Sequence, residues 1–215
     1  MTVPQKRLSC GERRNQIIQV AMDLFATKGF KGATPPAIAS AAGVSEAIIF
    51  RHFKTKEDLY DAIITTCIER RNEVWDREAP SIAETDDLEV LMKAFATGFI
   101  KRHREDQTFI RLMLYSALQD HKFRQRFFES GRSPYMRRIR ERIQNGVTSG
   151  EYIDIDPGLT MSSFFSSLLQ YAVNRFVGSS ESRPPEADDA YIENLVKLYV
   201  CSLKPQASND AALSL

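Results

Sequence analysis

Apolar residues recur at intervals of three and four along nearly the whole 215-residue chain, and glycine and proline mostly fall between these stretches. This spacing is typical of amphipathic helices, whereas no segment alternates like a half-buried strand. The sequence therefore predicts an all-α protein of about nine helices. We expect a three-helix N-terminal domain followed by a larger helical domain.

Capping residues indicate where these helices begin and end. The first should stop at Gly29, the third should begin after Ser45, and the fourth should open at Thr55 with Asp58 as its capping partner and close at Pro80. The later amphipathic segments carry no comparable internal stop, apart from Gly131 and Pro134. The predicted helices cover residues 12–28, 35–42, 46 onward, 56–80, 87–102, 106–119, 122–146, 157–177 and 186–203.

Two of the predicted helices are short and closely spaced. Thr34 caps the second helix, Pro35 occupies its first turn, and Gly43 allows the chain to turn before Ser45 caps the third. Such a pair is a helix-turn-helix, whose second helix can enter the major groove of DNA. Ala39, Val44 and Ile49 should form its small core, which leaves an outward face of Glu46, Ala47, Ile48, Phe50, Arg51 and His52.

Charge is divided unevenly along the chain. Residues 1–56 contain nine Lys or Arg against three Asp or Glu, a net charge of +6, whereas the remainder carries −5. A basic front segment suggests a polyanionic partner, although it is also compatible with a solvated surface.

Several classes of protein are disfavoured. No apolar run is long enough to cross a membrane and no signal peptide is evident, so we expect a cytoplasmic protein without a membrane partner. Cys10, Cys67 and Cys201 are widely spaced, the three histidines form no metal-binding pair, and no phosphate loop or nucleophile motif occurs. We therefore expect no metal, no cofactor and no enzymatic activity.

The predicted helices at 157–177 and 186–203 carry apolar stripes wide enough for two contact surfaces. One surface would meet the same chain and the other a second copy, which would form a four-helix dimer interface. Complete burial within one chain is the alternative. The expected interface residues are Phe164, Phe165, Leu168, Leu169, Ala172, Val173, Phe176, Ile192, Leu195, Val196 and Tyr199.

Aromatic residues and methionines are concentrated in the middle of the chain. Each one taken alone is compatible with an ordinary core, but together they could line a cavity for an apolar or aromatic ligand, with a few polar groups among them. The candidate ligand-binding residues are Trp75, Phe95, Phe99, His103, Phe109, Arg111, Met113, Tyr115, Leu118 and Gln119.

The segment "GVSEAIIFRHFKTKEDLYDAI", within a region from Gly11 to about Ile64, resembles the N-terminal domain of the TetR family of transcriptional repressors. The resemblance implies a homodimer that binds a roughly palindromic double-stranded DNA operator and is released by a small-molecule effector in the C-terminal domain. It also implies DNA-backbone contacts by Phe50 and His52 and phosphate contacts by Lys56 and Thr34. Arg51 could contact either a guanine or a phosphate.

The expected division is a DNA-binding domain at 1–56, a linker helix at 56–79 within a ligand-binding and dimerisation domain at 57–205, and a flexible tail at 206–215. Three residues depart from the pattern common in the family. Pro35 and Pro36 remove a possible phosphate contact of the second helix, and Glu46 would repel a phosphate. Two alternatives therefore stay open: an effector-independent DNA-binding regulator, and a helical interaction protein that has lost DNA binding.

Overall fold

A computed structural model describes residues 8–83, 85–119, 125–126, 129, 134–177 and 184–205; at 75–76, 78–83 and 134 it describes the backbone alone. Within these ranges the chain contains no strand, which confirms the predicted all-α class; nine α-helices have defined bounds, and residues 125, 126 and 129 are helical as well. The helices are α1 Cys10–Gly32, α2 Pro35–Ala42, α3 Glu46–His52, α4 Lys56–Ala83, α5 Leu88–Glu105, α6 Thr108–Leu118, α7 Pro134–Ser149, α8 Pro157–Ala172 and α9 Glu186–Leu203.

The capping residues place several of these boundaries as the sequence predicts. Thr34 accepts a hydrogen bond from the backbone N–H of Ala37, and Asp156 accepts one from that of Leu159. Thr55 and Asp58 form a reciprocal capping box at the start of α4, with both bonds 3.0 Å long. These side chains satisfy backbone donors that a helix leaves unpaired in its first turn.

Other predicted boundaries were wrong. The fourth helix continues past Pro80 to Ala83, because an internal proline removes one backbone hydrogen bond without forbidding further helix. Of the helix predicted from residue 122, residues 125, 126 and 129 are described before residue 134 and all three are helical, and a helix, α7, begins at Pro134, one of the two residues expected to break or kink this segment. The helix at 157–177 changes to a π-helical turn at Val173–Val177.

The chain forms two compact units. The first comprises Met1–Glu73 and Asp106–Gly131, and the second comprises Val74–Glu105 and Arg132–Leu215. The first unit therefore takes in α6 and most of α4, in addition to the three helices of the predicted DNA-binding domain. The predicted tail at 206–215 lies outside the described residues.

Each unit has its own apolar core. In the first unit, α1, α2, α3, α4 and α6 contribute to one core, represented by Phe25 of α1, Ile38 of α2, Ile49 of α3, Ile63 of α4 and Leu112 of α6. In the second unit, α5 packs against α7, α8 and α9. Its most deeply buried side chains include Met92, Ile139, Phe164, Leu168 and Val196.

A buried carboxylate organises one end of the second unit. Asp188, in the first turn of α9, has no exposed surface. Its Oδ1 accepts hydrogen bonds from the Tyr171 hydroxyl at 2.7 Å and from Arg175 Nε at 2.9 Å, and its Oδ2 pairs with Arg104. Arg175 lies in the π-helical turn, so this irregularity supplies one of the partners of Asp188.

These contacts shift the pKa values of Asp188 and Tyr171. Burial alone would raise the pKa of the Asp188 carboxyl, but the hydrogen bonds from Tyr171, Arg175 and Arg104 outweigh burial and lower it below its ordinary value. Burial, followed by the hydrogen bond to Asp188, raises the pKa of Tyr171 to about 12. At neutral pH the phenol therefore donates and the carboxylate accepts.

We expect Asp188→Asn to destabilise the protein by about 3 kcal/mol at pH 7, because the substitution removes a buried negative charge that interacts with the guanidinium groups of Arg175 and Arg104, and breaking a buried ion pair is costly. A folded-state pKa below the unfolded value gives stability above about pH 4 that is lost as the pH falls through the folded pKa. The difference in free energy of unfolding between the wild type and Asp188→Asn, measured by urea denaturation, should therefore become smaller in acid.

The matched control is Glu193→Gln, which breaks an exposed pair between Glu193 and Lys93 at 2.9 Å. Exposed pairs contribute little, so we expect no measurable change. Equal denaturation midpoints for wild type and Asp188→Asn at pH 7 would show that the Asp188 cluster does not stabilise this unit.

Candidate nucleic-acid interface

The α2–α3 pair has the geometry of a helix-turn-helix. Gly43 ends α2 in the left-handed region, with φ 64° and ψ 36°, a conformation that costs a residue with a side chain about 1–2 kcal/mol. The N–H of Val44 then donates to the carbonyl of Ala39 at 3.0 Å. Val44 is half-buried against the core of the first unit, so it anchors the turn.

Helix α3 is attached to this core by few side chains. Ile49 is its one buried residue, and Ile48 packs partly against the same core. Glu46, Ala47, Phe50 and Arg51 are exposed, and His52 is half-buried. Phe50 leaves 45% of its surface accessible, although an aromatic ring of that size gains stability from burial. The predicted outward face is therefore present, with Ile48 at its margin.

The start of α3 differs from the prediction in one respect. Ser45 has the extended backbone of a cap residue, but its side chain makes no capping hydrogen bond. The backbone donors in the first turn of α3 therefore lack a side-chain cap from Ser45. A helix N-terminus of this kind favours negatively charged groups.

Lys56 has a more enclosed setting than an exposed phosphate contact requires. Its ammonium donates to the carbonyl of Phe30 and lies 4.3 Å from the centre of the Phe30 ring and 5.8 Å from that of Phe25. Burial lowers the pKa of Lys56. An ammonium has three donors, so the contact with Phe30 leaves donors for another acceptor.

Basic side chains flank α3. Arg51 and Lys54 are exposed, and the guanidinium of Arg14 lies 5.0 Å from the centre of the Phe53 ring. Arg13 donates to the side chain of Gln16 at 2.6 Å. Lys6 and Arg7, two further cations of the basic front segment, lie outside the described residues.

The candidate ligand-binding residues fall into both compact units. In the second unit, Phe95, Phe99 and His103 form a continuous aromatic row on α5, with ring centres 6.3 Å and 4.4 Å apart. Phe164 and Phe165 of α8 contact this row, at 6.4 Å from Phe95 and 5.5 Å from Phe99. The structure thus brings part of the predicted ligand set together with two predicted interface residues.

The remaining ligand candidates lie elsewhere. Phe109 and Met113 pack in the core of the first unit, Arg111 Nη2 donates to Gln107, and Leu118 is 81% exposed. The Tyr115 hydroxyl donates to the carbonyl of Thr27, and the side chain of Gln119 accepts from the backbone of Phe30. The side chain of Trp75 lies outside the described residues.

The candidate dimer residues are mostly buried within a single chain. Phe164, Leu168, Ala172, Ile192, Leu195 and Val196 are in the core of the second unit, so a second copy is not needed to bury them. Phe165, Leu169, Val173, Phe176 and Tyr199 are half-buried. The most exposed large apolar side chains of α8 and α9 are instead Leu159 and Leu198, neither of which is among the expected interface residues.

Two features lacked a usable sequence signal. Asp188 falls in the acidic first turn of α9, where a solvated carboxylate is the ordinary expectation. The contact between Gln119 and Phe30 joins residues 89 positions apart. Among the described residues, no group of His, Cys, Asp and Glu is arranged to hold a metal ion, and no helix is long and apolar enough to cross a membrane.

The chain thus combines a helix-turn-helix, whose second helix is mostly exposed, with a second helical unit. This combination is typical of a two-part DNA-binding protein. The family model for bacterial regulatory proteins of the tetR family matches residues 17–63. The model for the C-terminal domain of AefR-like transcriptional repressors matches residues 86–202, more than half of the chain.

Similar proteins agree with these matches. The uncharacterized HTH-type transcriptional regulator YhgD of Bacillus subtilis is 27% identical over 190 residues, covering 88% of this chain and 95% of YhgD. The HTH-type transcriptional repressor AcnR of Corynebacterium diphtheriae is 28% identical over 171 residues, covering 79% of this chain and 84% of AcnR. The structure of the transcriptional regulator FadR of Bacillus subtilis, solved with stearoyl-CoA, matches with a TM-score of 0.68 at 19% identity, covering 88% of this chain and 98% of the FadR chain.

The chain belongs to the TetR family of bacterial regulatory proteins. It is a DNA-binding transcriptional regulator and not an enzyme, and the predicted family is confirmed.

Proposed function

We propose that the protein is a dimeric repressor that binds a palindromic operator and is released by a small apolar or aromatic ligand. The observation that carries this proposal is the exposure of α3: one buried side chain holds it, while Phe50 and Arg51 remain accessible beside a turn with a left-handed glycine. An exposed aromatic residue next to a cation is suited to a nucleic-acid surface and adds nothing to the core of the first unit.

On DNA, each side chain of α3 would have a distinct task. Arg51 would donate to the O6 and N7 of a guanine, and Ala47 or Ile48 would contact a thymine methyl group. Phe50 and His52 would pack along the DNA backbone. Thr34 at the start of α2 and Lys56 at the start of α4 would contact phosphates, because a helix N-terminus favours an anion.

Arg51→Ala should lower affinity by about 1–3 kcal/mol for duplexes with the preferred base pair and have a smaller effect on the other base pairs at that position. Duplexes selected from a random pool by the wild type would be compared in binding titrations at fixed salt. Lys54→Ala is the matched control, since loss of an exposed cation should weaken every duplex similarly. An equal loss for Arg51→Ala on every sequence would contradict base recognition and indicate a phosphate contact.

A second copy of the chain would bind along α8 and α9. Leu198 is 66% exposed on α9, and Ser162, Ser163 and Ser166 are exposed on α8. Small side chains let helices approach closely, and an exposed leucine beside them gives an apolar surface that association would bury. Two operator half-sites about 34 Å apart need two recognition helices, which a twofold dimer supplies.

Leu198→Glu should weaken dimerisation by at least about 100-fold, because a twofold interface would bury the unpaired charge twice. Sedimentation equilibrium would measure the dissociation constant. Val90→Glu is the matched control, since Val90 is an exposed apolar residue of α5 outside the proposed interface. A Leu198→Glu protein that dimerises as tightly as the wild type would contradict this interface.

The ligand would bind at the aromatic row of Phe95, Phe99 and His103 and the neighbouring Phe165. Aromatic side chains with one buried imidazole provide the mainly apolar surface, with few polar groups, that binds hydrophobic ligands. FadR, which shares the fold, was solved with stearoyl-CoA, so long-chain acyl thioesters are the first ligands to test.

We expect saturating stearoyl-CoA to weaken binding of the wild type to its selected duplex by about tenfold or more, as a ligand does when it prefers the DNA-free form. Fluorescence anisotropy of a labelled duplex would measure the change. Free coenzyme A is the control and should have no effect, because it lacks the apolar chain. Unchanged affinity with acyl-CoA esters and with a panel of aromatic compounds would instead indicate an effector-independent regulator.

A further inference from the structure

Helix α1 is interrupted near its C-terminal end by a second glycine with a positive φ, so the helix that was predicted to stop at Gly29 kinks there and continues to Gly32. Gly29 has φ 69° and ψ 178°, outside the helical region, and the chain then makes one short turn before Thr34 caps α2. The conformation at Gly29 and Phe30 therefore determines the direction in which α2 begins. Because α3 follows α2 through the tight turn at Gly43, the same conformation influences the position of α3.

Phe30 is held on one side by α4. Its carbonyl accepts a hydrogen bond from Lys56, whose ammonium also lies over the Phe30 ring. The ring centre is 5.6 Å from that of Phe25 and 5.2 Å from that of Tyr60. These contacts hold the carbonyl and the side chain of Phe30. Its N–H donates to a further partner.

That partner is Gln119, at the end of α6. Its Oε1 accepts from the N–H of Phe30 at 2.9 Å and lies 3.4 Å from the N of Lys31. One turn earlier on α6, the Tyr115 hydroxyl donates to the carbonyl of Thr27 at 2.9 Å. The end of α6 thus binds the backbone of α1 on both sides of Gly29.

The fit around Gly29 is close. A Cβ atom at this position would lie 2.7 Å from Gln119 Nε2 and 2.7 Å from Tyr115 Cδ1, so a side chain would push the end of α6 away. Tyr115 and Gln119 are candidates for the polar groups of a ligand site, yet both already have backbone partners within the first unit. Their geometry is suited to holding a turn.

We propose that Gln119 is a positioning residue for DNA binding, which acts by accepting a hydrogen bond from the backbone of Phe30 and so fixes the turn that precedes the helix-turn-helix. Tyr115 supports the same turn through Thr27. The proposal rests on the proposed function, because operator binding is its readout. Without the acceptor at residue 119, this hydrogen bond is lost and α2–α3 samples other positions, most of which do not fit the operator.

Gln119→Leu removes the acceptor and keeps a side chain of similar size. We expect it to lower affinity for the selected duplex about fivefold, the effect of one net hydrogen bond, and to change affinity for a scrambled duplex little. Gln119→Glu keeps an acceptor oxygen, so its ratio of affinity for the selected duplex to affinity for the scrambled duplex should equal that of the wild type. Leu118→Ala is the matched control, because Leu118 is exposed on the same end of α6.

Amide hydrogen exchange of the DNA-free proteins provides a second measurement. The Phe30 amide should exchange faster in Gln119→Leu than in wild type or Leu118→Ala, and Tyr115→Phe, which removes one hydroxyl only, should lower the affinity ratio in the same direction. Three results would overturn the proposal: an unchanged affinity ratio in Gln119→Leu, an equal loss in Gln119→Glu, or an equal loss in Leu118→Ala. A wild type that selects no duplex would overturn the proposed function and this inference with it.

Discussion

The packing of α3 on a single buried side chain, Ile49, is the constraint on which the functional part of the molecule depends. A seven-residue helix with one buried residue has too little burial to stabilise itself, so its position must come from its neighbours. Those neighbours are the turn at Gly43, the half-buried Val44 and Ile48, and the core that α1, α4 and α6 build around Phe25 and Ile63. The exposed face of α3 is available to DNA because the rest of the unit supplies its stability.

The two compact units differ in what stabilises them. The first unit places cations at its surface or over aromatic rings, as Arg14 and Lys56 do. The second buries a carboxylate, Asp188, among Tyr171, Arg175 and Arg104, and such an arrangement loses much more when one partner is removed than a solvated pair does. The first unit thus exposes its α2–α3 segment, whereas the second unit encloses a charged cluster in its interior.

Local signals explain the parts of this structure that the sequence predicts well. Thr34, Gly43, Thr55 and Asp156 act through residues at most five positions away, so the pattern of caps and turns was sufficient to place α2, α3 and the starts of α4 and α8. Pro80 was misleading because a proline inside a helix removes one backbone hydrogen bond without ending the helix, and α4 continues to Ala83.

Long-range contacts explain the parts that it predicts poorly. Apolar spacing shows that Phe164, Leu168 and Val196 are buried, but it cannot distinguish burial against α5 from burial against a second chain. The same limit applies to Tyr115 and Gln119, whose partners in α1 are separated from them by nearly ninety residues. Their candidacy as ligand-binding residues came from their composition and position on a helix, and neither property specifies a partner.

The central claim is that the exposed face of α3 contacts duplex DNA, and amide hydrogen exchange with and without the selected duplex tests it most directly. The account predicts slower exchange on DNA binding in α3 and at the starts of α2 and α4, with smaller changes in α8 and α9. Tight binding of the duplex with unchanged exchange in α3, and with protection instead along the arginine-rich α7, would contradict it.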